Sequence, residues 1–99
     1  MSAVTELVDI GQMIARTPGI KGGRPCIAGT GVTVKRIAGW HHMGMSPEEI
    51  AAQYGHITLA QVHVALAYYY ANREEIEADL AEEALEYQRL SSTQATSPA

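Results

Sequence analysis

Ninety-nine residues, 46% of them hydrophobic, make one domain at most and can give it a core. The formal charge of −4 divides unevenly: residues 1–44 set five cations (Arg16, Lys21, Arg24, Lys35, Arg36) against Glu6 and Asp9, a net of +3, whereas residues 45–99 set Arg73 and Arg89 against nine acids, a net of −7. The single cysteine, Cys26, argues against a disulfide framework or a cysteine-rich zinc module, and no apolar run approaches the ~20 residues of a membrane helix.

The first residues, MSAVTELVDIG, lack the basic start and apolar stretch of a signal peptide, so the expectation is a soluble cytoplasmic protein. Eight of the nine glycines lie at or before Gly44. Within that stretch Cys26–Ala28 and Val32–Val34 are β-prone runs on either side of Gly29-Thr30-Gly31, which predicts a β-hairpin over about 25–34. Pro25 marks an edge strand or a strand start. An isolated hairpin is barely stable in water, so it must pack on helices or pair with a second copy.

From Val34 the spacing turns helical, and Val34, Ile37, Ala38 and His41 predict a helix over about 35–43, ended by Gly44. Ser46-Pro47-Glu48-Glu49 reads as a capping box with proline at the first helical position. It opens a helix over 47–54 that Gly55 stops. Thr58-Leu59-Ala60-Gln61 repeats the grammar and opens a helix over 59–71, with Leu59, Val62, Leu66 and Tyr69 on one face. Asn72 marks a break. Residues 73–90 form an acidic helix with a narrow stripe of Ile76, Leu80, Ala84 and Tyr87 and a weaker face of Ala78, Ala81 and Leu85. Residues 91–99, SSTQATSPA, read as a disordered tail behind a single 1–90 domain.

Helices 47–54 and 59–71 with their short glycine-containing turn fit helix-turn-helix spacing. In a DNA reader the start of the second helix faces base edges. Here that nominates Gln61 for adenine and His63 for a phosphate or base. No Lys or Arg stands between Arg36 and Arg73, so phosphate contact falls to Arg24, Lys35 and Arg36. Lys35 and Arg36 open a helix, where a cation opposes the dipole. A phosphate or a partner carboxylate would offset that cost, and a tolerated surface charge is the plainer alternative.

Tyr68, Tyr69 and Tyr70 point around their helix, so one can be buried while another, Tyr70, serves an interface. Arg73 and Arg89 are the only cations of the acidic half and are nominated, with Tyr70 and Leu85, for partner binding. The four histidines include no i, i+4 pair, Cys26 reads as a small buried hydrophobe, and no catalytic grammar is evident. The reading is therefore non-enzymatic, without metal or cofactor.

The block Gly22-Gly23-Arg24-Pro25-Cys26-Ile27-Ala28-Gly29-Thr30-Gly31-Val32-Thr33-Val34, then Gly44-Met45-Ser46-Pro47-Glu48-Glu49-Ile50, then Tyr54 and Leu59 to Tyr70, resembles the DUF433 family over about residues 14–80. The resemblance implies a mostly helical, helix-turn-helix-like fold with an N-terminal β-hairpin and a long C-terminal helix. Some members of the family are similar to antitoxins of VapBC-type toxin–antitoxin pairs, whose partner is a PIN-domain ribonuclease. The sequence departs from the family pattern at Gly31, where arginine usually follows Gly-Thr, and so lacks a cation at the hairpin tip.

Two readings follow. In the first the chain is a homodimeric antitoxin-like protein that pairs with a PIN-domain toxin through its second half and contacts operator DNA through its basic half. In the second it is a protein-interaction or structural domain with no DNA role. The thin core, with six aromatics and no Phe, favours a homodimer in either.

Overall fold

Local side-chain chemistry starts each of the first three helices. Thr33 Oγ1 accepts a hydrogen bond from the Arg36 amide and opens α1, Val34–His42. Ser46 and Glu49 close a reciprocal capping box on α2, Pro47–Tyr54, and Thr58 and Gln61 close another on α3, Leu59–Ala71. Gly55, at φ +73°, ends α2 in the left-handed region that glycine enters without steric cost. Asn72 ends α3, and α4, Arg73–Ala95, follows at once.

The computed structural model describes residues 7–95, with side chains to Ser91. The fold is mostly helical, with a two-stranded antiparallel sheet near its start and a long last helix. The sheet pairs β1, Ile14–Ala15, with β2, Cys26–Ile27, in the register Ile14↔Ile27 and Ala15↔Cys26. The tight loop expected after Cys26–Ala28 forms. The Ile27 amide donates to Val32 O at 2.9 Å, and the Val34 amide donates to Pro25 O at 2.9 Å. Its second arm, however, makes only a single bridge, Cys26 with Thr33. Thr33 is needed as the cap of α1, so the chain leaves the sheet there and the full strand partner comes from upstream.

The core joins Ile27 and Val32 to Val34, Ile37 and Ala38 of α1, Ile50 of α2, Ile57, and Val62, Ala65, Leu66 and Tyr69 of α3. Leu59, expected on the buried face of α3, is exposed, and Ala65 takes a buried position instead. From α4 only Ile76 reaches the core, with Leu80 packed at its edge. The expected stripe therefore fails after Leu80: Ala84 and Tyr87 are exposed. The helix simply runs past the body it packs on. At ~1.5 Å per residue α4 is roughly 35 Å long, longer than the faces of α1 and α3 beside it. It also passes the expected end near residue 90 and reaches Ala95. The rest of the expected tail, 96–99, lies outside the described residues.

Candidate functional site

The charge division of the sequence is resolved inside the fold. Cations of the first half face carboxylates of α4. Arg16 bonds Glu75 and also donates to Tyr68 Oη at 2.8 Å, and Tyr68 Oη donates to Glu75 Oε1 at 3.1 Å. This triad ties the segment after β1 to α3 and α4. Arg24 Nη2 lies 3.1 Å from Glu82 Oε1, and its buried Nε, which makes no hydrogen bond, lies 3.5 Å from Asp79 Oδ1. Lys35 Nζ lies 2.8 Å from Glu83 Oε2. Two of the three cations nominated for DNA, Arg24 and Lys35, thus already have carboxylate neighbours.

What remains is a cleft of about 490 Å³ between the left-handed turn at Lys21, the start of α1 and the end of α2. Lys21, Arg24, Lys35 and Arg36 line it, against one carboxylate, Glu83. Trp40 and Tyr54 supply an aromatic wall, with ring centroids 5.3 Å apart and planes tilted by 33°. Among the described residues neither Lys21 nor Arg36 is in a salt bridge. Lys21 itself sits at φ +50°, a conformation that costs a side-chain-bearing residue of order 1–2 kcal/mol.

The electrostatics of the cleft are legible in its titrating groups. The Lys35 hydrogen bond, and then the fields of Lys35, Arg36 and Arg24, hold the Glu83 carboxyl below the usual carboxylate range. Burial pushes the Tyr54 phenol up, and the nearby Arg36 charge offsets part of that rise. Burial likewise pushes the Cys26 thiol up, so Cys26 behaves as a small core residue. Among the described residues no set of three His, Cys, Asp or Glu could hold a metal ion. Among the same residues no helix is long and apolar enough to cross a membrane.

The sequence-nominated residues therefore separate into three places. Arg24, Lys35 and Arg36 converge on the cleft. Gln61 is occupied by its capping box, and His63 is exposed on α3, on a helix with no cation. Tyr70 is exposed and shares a 2.6 Å hydrogen bond with His41. Arg73 bonds Glu77 and lies over the rings of Tyr69 and Tyr70, 5.9 and 6.0 Å from their centroids. Leu85 is exposed on α4, and Arg89 pairs with Glu86 one turn away. Lys21, Trp40, Tyr54 and Glu83 were not nominated. The Lys21-Gly22-Gly23 turn carried a local signal for the first, and no spacing rule joins the other three.

Tyr69 is fully buried and joins α1, α3 and α4. Its hydroxyl donates to Glu77 Oε2 at 2.8 Å. A hydroxyl has one proton, so in the 2.7 Å bond between His42 Nε2 and Tyr69 Oη the imidazole is the donor.

A family model described as "Protein of unknown function (DUF433)" matches residues 14–69, more than half of the chain. The chain belongs to the DUF433 family. This DUF433 chain is similar to a crystal structure of a DUF433 member protein from Anabaena variabilis, at 30% identity and a TM-score of 0.66, over 70% of this chain and 68% of that one. No curated protein matches it. The family match opens on β1 and closes on Tyr69, so it holds Lys21, Arg36, Trp40 and Tyr54 of the cleft and leaves out α4 with Glu83.

Proposed function

We propose that this DUF433 protein is an antitoxin-like regulatory binding module: a homodimer whose α4 docks on a PIN-domain ribonuclease and whose basic cleft side contacts operator DNA. The observation that carries the reading is the outer part of α4. Leu85, Tyr87 and Leu90 are 66%, 73% and 53% exposed, so among the described residues this part of α4 stands largely open. Tyr87 and Leu90, three residues apart, share one face of the helix, as in a helix-in-groove ligand, and Leu85 stands on the other side. Arg89 stands among them. It pairs with Glu86 at the surface and adds a cation that suits the carboxylates of an acidic nuclease site.

Co-expression with the product of the adjacent open reading frame tests the pairing. The expected result is a co-purifying complex whose ribonuclease activity is suppressed. A nuclease that stays fully active beside an excess of this protein refutes the inhibitor role. Light scattering at micromolar concentration is expected to give the mass of a dimer, and a monomeric mass removes that part.

The second reading, a protein-interaction domain without DNA binding, is favoured by one observation. Arg24 and Lys35 have carboxylates of α4 as neighbours. A gel shift on the protein's own upstream DNA separates the two. Operator contact predicts binding that weakens with salt, and no shift at low salt, with or without partner, leaves the second reading.

A further inference from the structure

We infer that the cleft between the Lys21 turn, α1 and α2 is a binding site for a nucleoside phosphate. The inference does not rest on the antitoxin reading, although the cleft shares Arg24, Lys35 and Glu83 with the groove beside Tyr87 and Leu90 of α4. Three observations converge. The first is charge: four cations and one carboxylate line the same space, and Lys21 and Arg36 lack a carboxylate partner among the described residues. Arg24 and Lys35 are matched by Asp79, Glu82 and Glu83, so Lys21 and Arg36 are the charges that a dianionic phosphate would meet. The second is shape and surface. A volume of about 490 Å³ falls within the range of small-molecule sites, and Trp40 and Tyr54 offer flat ring surface for a base. The third is the mouth. Gly31 lines the cleft, is not at positive φ, and a Cβ there would meet Lys21 Cε at 3.6 Å, an ordinary contact, so the backbone does not demand glycine and a longer side chain at residue 31 would compete with Lys21 for space.

Glu83 defines the regulation of this site. Its carboxylate sits in the field of Lys35, Arg36 and Arg24 and is the resident counter-ion of the cleft. An incoming phosphate competes with it. Binding therefore loosens the contact between α1 and α4 at this point, and neutralising Glu83 frees Lys35 for the ligand.

The protein carries a single tryptophan, and it stands in the cleft, so the site reports on itself. Adenosine 5′-monophosphate, adenosine and inorganic phosphate are each titrated against Trp40 fluorescence, excited at the red edge and corrected for absorbance, with calorimetry alongside. The expected result is a saturable change with the nucleotide, at a concentration about ten-fold or more below that needed for adenosine or phosphate alone. Arg36→Gln and Lys21→Gln are each expected to weaken binding about ten-fold, Gly31→Leu to abolish it, and Glu83→Gln to tighten it several-fold. Circular dichroism of each variant checks that the helices persist. No saturable response to the nucleotide in the native chain overturns the inference. So does phosphate binding as well as the nucleotide, or an affinity that ignores both Arg36→Gln and Glu83→Gln. A short single-stranded oligonucleotide is then added to the nucleotide complex. Displacement supports the site with a strand as its source of the nucleotide, and retention supports it with the free nucleotide.

Discussion

Lys35 Nζ stands 2.8 Å from Glu83 Oε2, and this one pair joins the first turn of α1 to the middle of α4. A cation in the first turn of a helix is unfavourable, and α1 has no acid there to balance it. Glu83 supplies the balance from another element. Arg16 pairs likewise with Glu75 and Arg24 with Asp79 and Glu82, and past Leu80, where the apolar contacts of α4 end, Glu82 and Glu83 still tie the helix to the body by charge.

Acid is therefore expected to loosen the fold. Hydrogen bonds from Arg16, Tyr69 and Lys35 respectively hold Glu75, Glu77 and Glu83 below their ordinary value of 4.5. A carboxylate depressed in the folded state contributes stability above its unfolded pKa and loses it as pH falls through the folded one. The thermal midpoint should fall as pH drops below about 4.5, and Glu83→Gln should make that fall shallower. Melting followed by circular dichroism checks both, and a midpoint that holds steady across this window contradicts the ion-pair account.

Tyr69 is the most demanding single side chain of the core, since it is fully buried yet spends its hydroxyl on Glu77 and His42. Tyr69→Phe keeps the ring and orphans two polar partners at the rim, which should cost about 1 kcal/mol. Tyr69→Ala also opens a cavity between α1 and α3 and should cost ~3–5 kcal/mol. Urea unfolding measures both. Equal costs would mean that the ring contributes nothing beyond the hydroxyl.

The caps offer an independent test. Ser46→Ala and Thr58→Ala each remove half of a capping box, and each should cost ~1 kcal/mol. The two boxes share no residue, so the double variant should lose close to the sum. A double variant no less stable than either single one would show that α2 and α3 are held by packing alone.

These caps were the most legible part of the sequence, because a capping box is written in four consecutive residues. Helices α2 and α3 accordingly appear where Ser46, Gly55, Thr58 and Asn72 place them. Strand β1 was not legible: Ile14–Ala15 is two residues long and has no period, and it exists because β2 and α3 offer it a surface. The cleft was half legible. Lys35 and Arg36 stood out against the helix dipole, but Trp40, Tyr54 and Glu83 come from α1, α2 and α4 and meet only in the fold. Arg24 and Lys35 looked available for phosphate because their partners, Asp79, Glu82 and Glu83, are more than forty residues away in sequence.

Two glycines should respond with opposite sign. Gly39 lies inside α1, where a Cβ would meet Leu80 Cδ2 at 3.5 Å, an ordinary contact. Gly39→Ala should stabilise by up to ~1 kcal/mol, from helix propensity and an added contact with α4. Gly55 ends α2 at φ +73°, and Gly55→Ala should cost about 1 kcal/mol. Chemical denaturation of both variants checks the signs. Destabilisation by Gly39→Ala would show that α4 cannot yield even a methyl group of space.

The outer part of α4 allows stability and binding to be separated. Leu85, Tyr87 and Leu90 bury little surface against the body, so replacing them removes little of the folding free energy. Leu85→Ser, Tyr87→Ser and Leu90→Ser should each move the unfolding midpoint by no more than the equivalent of ~0.5 kcal/mol. If a partner grips this part of the helix, through Tyr87 and Leu90 on one side and Leu85 on the other, the triple variant should lose capture of that partner while remaining folded. Its mass by light scattering then assigns the face. A dimer that persists places self-association elsewhere and leaves α4 to the partner. A monomer means that two copies cover each other's α4. A triple variant that keeps full partner binding would refute α4 as the docking element, because no other part of that helix presents large apolar side chains among the described residues.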